Sequence, residues 1–520
     1  MPVIETRRLR ILDTTLRDGD QAAGCAFTQR QKLEIARLLE ECGVDCIEAG
    51  FPSSSSHDFE GCRLIASEIR NTSIAVMTRA SIEDIRVSAN AIAGASRGML
   101  HLSLPVSSLH IERKLGKSES EILRIGRESV SFAAGLAGLI EIGAEDATRA
   151  DRNFLLDYCG TVTEAGALIV NISDTVGYTV PDEFARLIHF LLEGVDAFRS
   201  GRSVLSVHCH NDFGLANANT LSAIGSGCGQ IEVTGMGIGE RAGNAALEEI
   251  EALLRSRADL YPVETSLVPS AIARIPRLIS GILGTDFSPF KPVTGRNRAA
   301  HASGIHQHGI IQDRATYEPT GAILPGLPPA RIVLSRHSGK AGLARFIQRY
   351  AGIELDEESL KHVLEEVKEA CGCLPALGVS ELLSILHSRL LIPLPPIECI
   401  ALTVTENHTQ EFSGFSAAAS FTRSPSGAVP ESCAVRSPSR LEVFLALAAK
   451  LFLPPIQITT LSFSGCGNPA PAMRLYLEAT VAHPQNRAYA LERTGTSLDM
   501  LLLQCLIDII NAEYCLTTPP

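Results

Sequence analysis

The stretch SVLSVHCHND, at residues 203–212, joins a short apolar run to a polar end. Its first half consists mostly of valine, leucine and serine, a composition that favours a buried strand. Its second half contains His208, His210 and Asp212. Polar side chains that follow an apolar strand are typical of a parallel barrel, where they collect at the C-terminal face. The stretch therefore predicts one strand of such a barrel.

Seven further candidate strands lie around this stretch, and amphipathic segments of helical length separate them. The eight candidates are RILDTT, CIEAG, SIAVMTR, MLHLSLP, LIEIGAED, ALIVNIS, SVLSVHCH and QIEVTGMG. Eight such units between residues 9 and 257 match the number of units and the length of a (β/α)8 barrel. A doubly wound open sheet is the alternative, and the even run of units and the polar strand ends disfavour it. We therefore predict an α/β protein with a TIM barrel at residues 1–258.

The rest of the chain predicts two further parts. Residues 259–392 contain a segment rich in Pro, Gly and His and then helical patterns, which predict a linker and helical subdomain. The sequence LIPLPPIE, at residues 391–398, suggests a hinge. Residues 393–520 indicate a small α+β domain, with helices predicted at 440–452 and 497–513. Its predicted strands are CIALTVTE, SAAASFT, IQITTLSFSG and MRLYLEATV.

The composition narrows the range of partners. The chain has 520 residues and a formal net charge of −12, so it lacks the basic field that recruits nucleic acid. No signal-peptide pattern precedes the first strand, and no apolar run has the length of a membrane span. We therefore expect a cytoplasmic protein that binds neither nucleic acid nor membrane.

The pattern at His208 and His210 indicates a metal site. Side chains at positions i and i+2 of a strand point to the same side, so both imidazoles face the mouth of the barrel. Two imidazoles and a carboxylate from another strand suit zinc, manganese or iron, with positions left open for substrate. Asp18, at the end of the first strand, is the natural carboxylate, and Asn244 is a further oxygen donor. A polar pair without a metal is the structural alternative.

Three other segments carry candidate functional residues. Arg17, in LRDG, is placed to stabilise negative charge on a carbonyl oxygen, or it pairs with a barrel carboxylate such as Glu145. The glycines of GMGIGERAGNAALEE, at 235–249, suit a tight turn around Asn244, and a phosphate loop is the weaker alternative. His306, in HASGIHQHG, is either a general acid or base or a loop histidine without a role.

Together these segments resemble the 2-isopropylmalate and homocitrate synthases, within the wider group of DRE-motif TIM-barrel metallolyases. The segments that carry the resemblance are DTTLRDGDQ, EDATRAD, NISDTVGYTVP, SVHCHNDFGLANANTL, GIGERAGNAALEE, SGIHQHG and LSRHSGKAGL. The final module is similar to the C-terminal regulatory domain of isopropylmalate synthases, through SGF at 413–415 and TGTSLDMLLLQCLIDIIN at 494–511. The resemblance covers essentially the whole chain.

The resemblance implies an acyltransferase that condenses acetyl-CoA with a 2-oxo acid. It implies a divalent metal ion (Mn, Zn or Mg) held by four residues: Asp18, His208, His210 and Asn244. Arg17 and Glu145 would lie beside the reacting carbonyl, and Thr175 would hold the carboxylate of the oxo acid. His306 and Tyr317 would assist proton abstraction from the acetyl-CoA methyl group. The resemblance also implies a homodimer and an amino-acid effector at the C-terminal domain, with leucine as the first candidate.

Three positions depart from the family pattern. Asp20 stands where the family usually has Glu, so a carboxylate that supports the metal site is one methylene shorter. Ser173 and Gly143 look more like the homocitrate branch, whereas IEAGFPSSSSHDFE, the SVHCHND run and the C-terminal module favour 2-isopropylmalate synthase. We expect the substrate to be 3-methyl-2-oxobutanoate, and leucine biosynthesis to be the context.

Other functions stay open at this point. A homocitrate synthase would need a cation for the second carboxylate of 2-oxoglutarate, because an unpaired buried carboxylate is costly. The candidate cations near the fourth strand are His110, Arg113 and Lys114. A citramalate or citrate synthase of the same lineage is also possible. A protein of another class, a non-catalytic barrel with a binding or regulatory role, is disfavoured by the intact set of candidate ligands.

Overall fold

The structure, a computed structural model, describes the barrel in full and the rest of the chain in part. The described residues are 6–284, 287–318, 325, 330–372 and 376–389, six strands between residues 398 and 495, and Cys505, Leu506 and Ile509. Two compact units form. The first contains the barrel and extends to Gly284, and the second contains residues 295–318 and the described residues from 330 onward. Within these ranges, no helix is both long and apolar enough to cross a membrane.

The first unit is a closed barrel of eight parallel strands, as the sequence predicts. The strands are β1 (Arg10–Asp13), β2 (Cys46–Glu48), β3 (Ser73–Arg79), β4 (Gly98–Pro105), β5 (Leu139–Glu145), β6 (Ile169–Asp174), β7 (Val204–Cys209) and β8 (Gln230–Val233). The helices that follow them are α1 (Gln29–Glu41), α2 (Ser56–Glu68), α3 (Ile82–Ala91), α4 (Glu119–Ala134), α5 (Arg152–Glu164), α6 (Pro181–Gly194), α7 (Ala216–Ser226) and α8 (Leu247–Ser256). A further helix, α9 (Ile275–Leu283), also belongs to this unit.

The inward-facing positions of the strands change from apolar to polar along the barrel. A buried apolar cluster combines side chains from five strands: Leu12, Cys46, Ala75, Met99 and Ile169. Two residues further along three of these strands, on the same side, the inward-facing residues are Glu48, His101 and Asn171, all buried. The barrel interior therefore has an apolar layer, followed by a layer of buried polar side chains nearer to the C-terminal ends of the strands.

Buried carboxylates inside the barrel are matched by hydrogen bonds. Both carboxylate oxygens of Glu141 accept hydrogen bonds of 3.0 Å from Gln230 Nε2, which also donates to Ser206 Oγ. Burial raises the pKa of Glu141 to about 7. Without such partners, a carboxyl group in this position would destabilise the barrel.

The second unit contains helices and two antiparallel sheets. Its helices are α10 (Gly304–Gln312), α11 (Lys340–Tyr350), α12 (Glu357–Ala370) and α13 (Val379–Ser388). Its sheets have the orders β9-β10-β11 and β12-β13-β14, formed by β9 (Glu398–His408), β10 (Ser413–Thr422), β11 (Glu431–Ser437), β12 (Ile456–Cys466), β13 (Ala472–Val481) and β14 (Arg487–Gly495).

The sequence predicts four of these six strands and misses β11 and β14. Both lie at the edge of their sheets and contain charged residues, which interrupt the apolar pattern that a sequence search detects. The predicted helix at 440–452 lies outside the described residues, as does the hinge up to residue 397. Of the helix predicted at 497–513, Cys505, Leu506 and Ile509 are described, and they are helical.

A buried lysine closes the loop between β1 and α1. Lys32 Nζ lies 2.8 Å from Asp20 Oδ2 and 2.9 Å from Asp58 Oδ1, and its side chain is only 2% exposed. The other carboxylate oxygen of Asp20 accepts a hydrogen bond of 2.8 Å from the Phe27 backbone. The shorter carboxylate at position 20 therefore binds Lys32 and the loop backbone.

We predict that Lys32→Met destabilises the barrel by about 3 kcal/mol, because it leaves two carboxylates without their buried cation. Arg37→Met, on the same helix, is the control. Its pair with Glu68 is exposed on both sides, so its loss should cost less than about 1 kcal/mol. Urea unfolding followed by circular dichroism measures both changes. Equal losses for the two variants would contradict the structural role of Lys32.

Candidate metal centre and active site

A short turn at the end of β1 presents Asp18. Residues Thr15–Gly19 form a single π-helical turn, and the Thr14 hydroxyl accepts a hydrogen bond from the Asp18 backbone N–H. At the start of the turn, Asp13 Oδ1 accepts a hydrogen bond of 2.9 Å from the Thr15 N–H. These local bonds hold the turn at the C-terminal end of the strand, where Asp18 is buried.

The two histidines lie at the end of β7. His208 belongs to the strand, and His210 follows its last residue. Their Nε2 atoms lie 3.0 Å apart, and these atoms are 3.7 and 3.9 Å from Asp18 Oδ2. Three ligand atoms from two strand ends thus converge on one small volume and could hold a metal ion.

The loop after β8 places Asn244 beside this group. Asn244 Nδ2 donates a hydrogen bond of 2.9 Å to Asp18 Oδ1. Its Oδ1 is buried and has no hydrogen-bond partner among the described residues. Gly239 permits the approach, because a Cβ there would lie 2.0 Å from Asn244 Nδ2 and 2.7 Å from Asp18 Oδ1. The structure therefore brings together all four residues predicted as ligands.

The chemistry of these four residues fits a divalent metal. His208 Nδ1 lies 2.8 Å from Glu232 Oε2, a partner that holds the proton on Nδ1 and leaves the Nε2 lone pair facing Asp18. Burial and the adjacent His208 lower the pKa of His210 to about 3, so this imidazole is neutral. Two imidazole nitrogens, a carboxylate and a free amide oxygen form a suitable donor set for such an ion.

Arg17 connects Asp18 to the barrel interior. Its Nη1 lies 2.6 Å from Asp18 Oδ2, and its Nε lies 2.6 Å from Glu48 Oε2. Burial by itself would raise the pKa of Asp18, but the adjacent Arg17 guanidinium holds this pKa below the usual range. The barrel carboxylate that Arg17 pairs with is Glu48, whereas the sequence suggested Glu145 for this structural role.

Sequence reasoning missed a second buried group, formed by Glu48, His101 and Glu232. His101 Nδ1 lies 2.7 Å from Glu48 Oε1, and its Nε2 lies 3.9 Å from Glu232 Oε1. Burial alone would lower the pKa of His101, but Glu48 and other carboxylates raise it to about 9. The three side chains are close enough for a metal ion. We interpret them as an ion-paired network, because His101 is cationic and Arg17 already binds Glu48.

A signal for this network is present in the sequence. The residues are single charged or imidazole side chains inside the otherwise apolar strands CIEAG, MLHLSLP and QIEVTGMG. Burying such side chains is costly unless they are paired. Their presence in three predicted barrel strands could therefore have indicated mutual pairing inside the barrel.

The predicted residues Glu145 and Thr175 lie at the ends of two neighbouring strands. Glu145 Oε1 is 2.6 Å from Lys114 Nζ and 3.2 Å from His110 Nδ1, and it forms no ion pair with Arg17 within the described barrel. The Thr175 hydroxyl accepts a hydrogen bond of 2.9 Å from the Asp146 backbone N–H. Both residues are half-buried, so part of each side chain is accessible to solvent.

The predicted residues His306 and Tyr317 belong to the second unit. His306 lies on α10, and Tyr317 follows a short helical turn at Arg314–Thr316. Their rings stack, with centroids 4.1 Å apart and an angle of 19° between the planes. Both side chains are exposed in this chain. The stacking gives the imidazole a defined orientation next to the phenol.

Comparison with known proteins agrees with this architecture. The HMGL-like family model matches residues 8–279, and the model described as homocitrate synthase post-HMGL domain-like matches residues 293–372. A 2-isopropylmalate synthase from Pyrococcus furiosus is 43% identical over 70% of this chain and 72% of its own length. Another, from Oceanobacillus iheyensis, is 42% identical over 69% of this chain and 70% of its own. Among solved structures, a hydroxymethylglutaryl-CoA lyase from Pseudomonas aeruginosa has a TM-score of 0.48, with 17% identity over 56% of this chain and 97% of that one.

The two family models together match most of the chain from residue 8 to residue 372. The HMGL-like match spans more than half of the chain and coincides with the eight-stranded barrel that carries Asp18, His208 and His210. The identity to the named synthases exceeds 40% over more than two thirds of both chains. The chain therefore belongs to the 2-isopropylmalate synthase family.

Proposed function

We propose that this protein is a 2-isopropylmalate synthase. It condenses acetyl-CoA with 3-methyl-2-oxobutanoate and, with water, yields 2-isopropylmalate and CoA. The observation that carries the proposal is the convergence of Asp18, His208 and His210 at the mouth of a barrel in a chain of this family. Arg17 beside this group supplies the positive charge that a condensation at a carbonyl requires.

Asp18, His208, His210 and Asn244 would hold a divalent metal ion, with Mn, Zn or Mg as the candidates. When bound, this ion supplies Lewis acidity toward the oxygen atoms of the 2-oxo acid. The four residues would offer two nitrogen and two oxygen donors, a set that suits such an ion. Glu232 supports the arrangement, because its contact with His208 Nδ1 orients the imidazole.

Arg17 and Thr175 would bind the two ends of the oxo acid. The Arg17 guanidinium is held by Glu48, so it can stabilise the charge that develops on the ketone oxygen without having to reorganise. The Thr175 hydroxyl accepts one hydrogen bond, from Asp146, and donates none to the described residues. Its proton is therefore free for the substrate carboxylate.

Proton abstraction from the acetyl-CoA methyl group is assigned to His306, assisted by Tyr317. An imidazole is the usual group for such a transfer near neutral pH, and the stacking on Tyr317 limits its orientations. Glu145 would assist at the reacting carbonyl. Its carboxylate is held by Lys114 and His110, which fixes its position at the end of β5.

The same two contacts favour the branched apolar substrate. Of the three side chains that could receive the second carboxylate of 2-oxoglutarate, Lys114 is already paired with Glu145, and His110 Nδ1 lies 3.2 Å from the same carboxylate. Arg113 is exposed. A homocitrate-type reaction would therefore have to bury a carboxylate with little compensation. Gly143 and Ser173, which resemble that branch, leave homocitrate synthase as the second candidate.

The remaining proposals concern the setting of the enzyme. We expect a cytoplasmic homodimer in leucine biosynthesis, with a C-terminal domain that binds leucine as an end-product effector. That domain contains two antiparallel sheets of three strands each. We also propose that the domain boundaries lie near residues 258 and 392.

The metal proposal predicts that His208→Ala or His210→Ala removes most of the bound divalent metal and nearly all turnover. The fold should persist, because the ligands lie at the barrel mouth and not in its apolar layer. Metal content is measured by elemental analysis of the purified proteins, with exposed His189 on α6, changed to Ala, as the control. Stoichiometric metal in both ligand variants would refute the assignment.

The substrate proposal predicts that kcat/KM for 3-methyl-2-oxobutanoate exceeds that for 2-oxoglutarate by roughly 100-fold or more, because an unpaired carboxylate is costly to bury. CoA release from acetyl-CoA across a panel of 2-oxo acids measures the ratio. Arg113→Ala should leave it unchanged. A preference of the unmodified enzyme for 2-oxoglutarate that disappears in Arg113→Ala would establish the homocitrate alternative.

The effector proposal predicts that leucine binds the full-length protein and weakens substrate binding or turnover by roughly 5- to 150-fold, the usual range of allosteric coupling. Calorimetry measures the binding, and truncation near residue 392 should abolish the inhibition while activity remains. Isoleucine and valine serve as controls. If no branched-chain amino acid binds, the leucine proposal is wrong.

A further inference from the structure

Backbone conformation singles out the surroundings of one active-site residue. Among the described residues, four that are not glycine have a positive φ: Asp146 (63°), Met236 (62°), Arg241 (57°) and Val293 (61°). Such conformations cost free energy and persist only where the surroundings enforce them, which is often at functional sites. Asp146 and Arg241, which come from different loops, both donate a hydrogen bond to Thr175.

Asp146 is held in place by its side chain and binds Thr175 through its backbone. Its fully buried carboxylate receives hydrogen bonds from the Ser107 hydroxyl and from Arg149, whose Nε and Nη2 each lie 2.8 Å from a carboxylate oxygen. This anchoring outweighs the cost of the left-handed backbone. As a result, the Asp146 N–H is aimed at Thr175 Oγ1, 2.9 Å away.

Arg241 holds the backbone of the same residue. Its guanidinium donates to both carboxylate oxygens of Asp212, at 2.8 and 2.9 Å, and its Nη2 donates to the Thr175 carbonyl oxygen at 2.7 Å. The loop after β6 packs tightly against Asp212, since a Cβ on Gly177 would lie 2.6 Å from Asp212 Oδ2. The loops after β6, β7 and β8 are therefore joined at this point.

We propose that Asp146 and Arg241 are positioning residues that together orient the Thr175 hydroxyl toward the 2-oxo acid carboxylate. A threonine side chain otherwise has more than one accessible rotamer. The Asp146 N–H occupies an acceptor position of Oγ1, and Arg241 fixes the backbone that carries it. The hydroxyl proton is then excluded from that direction and restricted to the two others. This inference rests on the proposed function, in which Thr175 binds the substrate.

Calorimetry with 3-methyl-2-oxobutanoate on the full-length, Mn²⁺-saturated protein tests the pair. Thr175→Val, Arg241→Ala and Asp146→Ala should each raise Kd roughly 10-fold or more, the effect of a misplaced contact. On the Thr175→Val background, Arg241→Ala should add no further loss, since no hydroxyl is left to orient. If Asp146→Ala fails to fold, Asp212→Ala removes the support of Arg241 and should act like Arg241→Ala.

Two controls separate positioning from general damage. Arg257, just after α8, also donates two hydrogen bonds to one carboxylate, that of Asp259. Arg257→Ala removes this pair and should leave Kd for the oxo acid unchanged. Chelator competition for Mn²⁺ should give the same metal affinity in Arg241→Ala as in the unmodified protein. Arg241→Lys, which keeps a donor, should recover part of the lost affinity.

The outcomes distinguish this inference from the proposed function. If Arg241→Ala weakens oxo-acid binding equally with and without the Thr175 hydroxyl, or does not weaken it at all, the inference is overturned. Failure of the unmodified protein to bind the oxo acid overturns it too. Thr175-dependent binding with the predicted coupling, but no CoA release from acetyl-CoA, would sustain the inference and overturn the proposed synthase activity.

Discussion

The buried ion pair between Arg17 and Glu48 is the interaction on which the chemistry of this barrel depends. Arg17 Nε and Glu48 Oε2 lie 2.6 Å apart, with side-chain exposures of 10% and 0%. Two charges in such a place are costly unless every polar atom is matched. Here Glu48 also binds Thr14 and His101, and Arg17 also binds Asp18. The pair thus holds the turn after β1 in the position that presents Asp18.

From Glu48 the network continues across the barrel to His208, one of the two histidines proposed as metal ligands. His101 lies between Glu48 and Glu232, and Glu232 binds His208 Nδ1. The cations Arg17 and His101 compensate the charges of the buried carboxylates Glu48 and Glu232. Because β2, β4, β7 and β8 each contribute one member, the geometry of the candidate metal centre follows from the closure of the barrel and not from any single loop.

At the mouth of the barrel, loop backbones rather than buried ion pairs position the side chains. Several of these backbones are held in unfavourable conformations, as at Asp146 and Arg241. Close approaches that only glycine permits occur at Gly239 and Gly177. The barrel interior thus contains buried ion pairs, and the loops at the barrel mouth contain strained backbone. This combination is expected of a functional site, because the stable scaffold compensates for the free-energy cost of the strained loops.

The sequence by itself determined the barrel and the candidate ligands. Eight apolar runs with polar ends require parallel strands, because only there do Asp18, His208 and Asn244, far apart in the chain, reach one face. These are local patterns, with periods of two and 3.6 residues, that a single chain displays. The edge strands β11 and β14 were missed, because their charged residues interrupt that period.

Only the tertiary structure decided which charges pair. The sequence suggested Glu145 as the ion-pair partner of Arg17. In the structure, strand register places Glu48 beside Arg17, and Glu145 lies beside Lys114 and His110 instead. The sequence indicated that His101 needs a partner but not which one, and it gave no sign of the left-handed backbone at Asp146. An ion pair depends on distances of a few ångströms between residues far apart in sequence, and these arise only when the barrel closes.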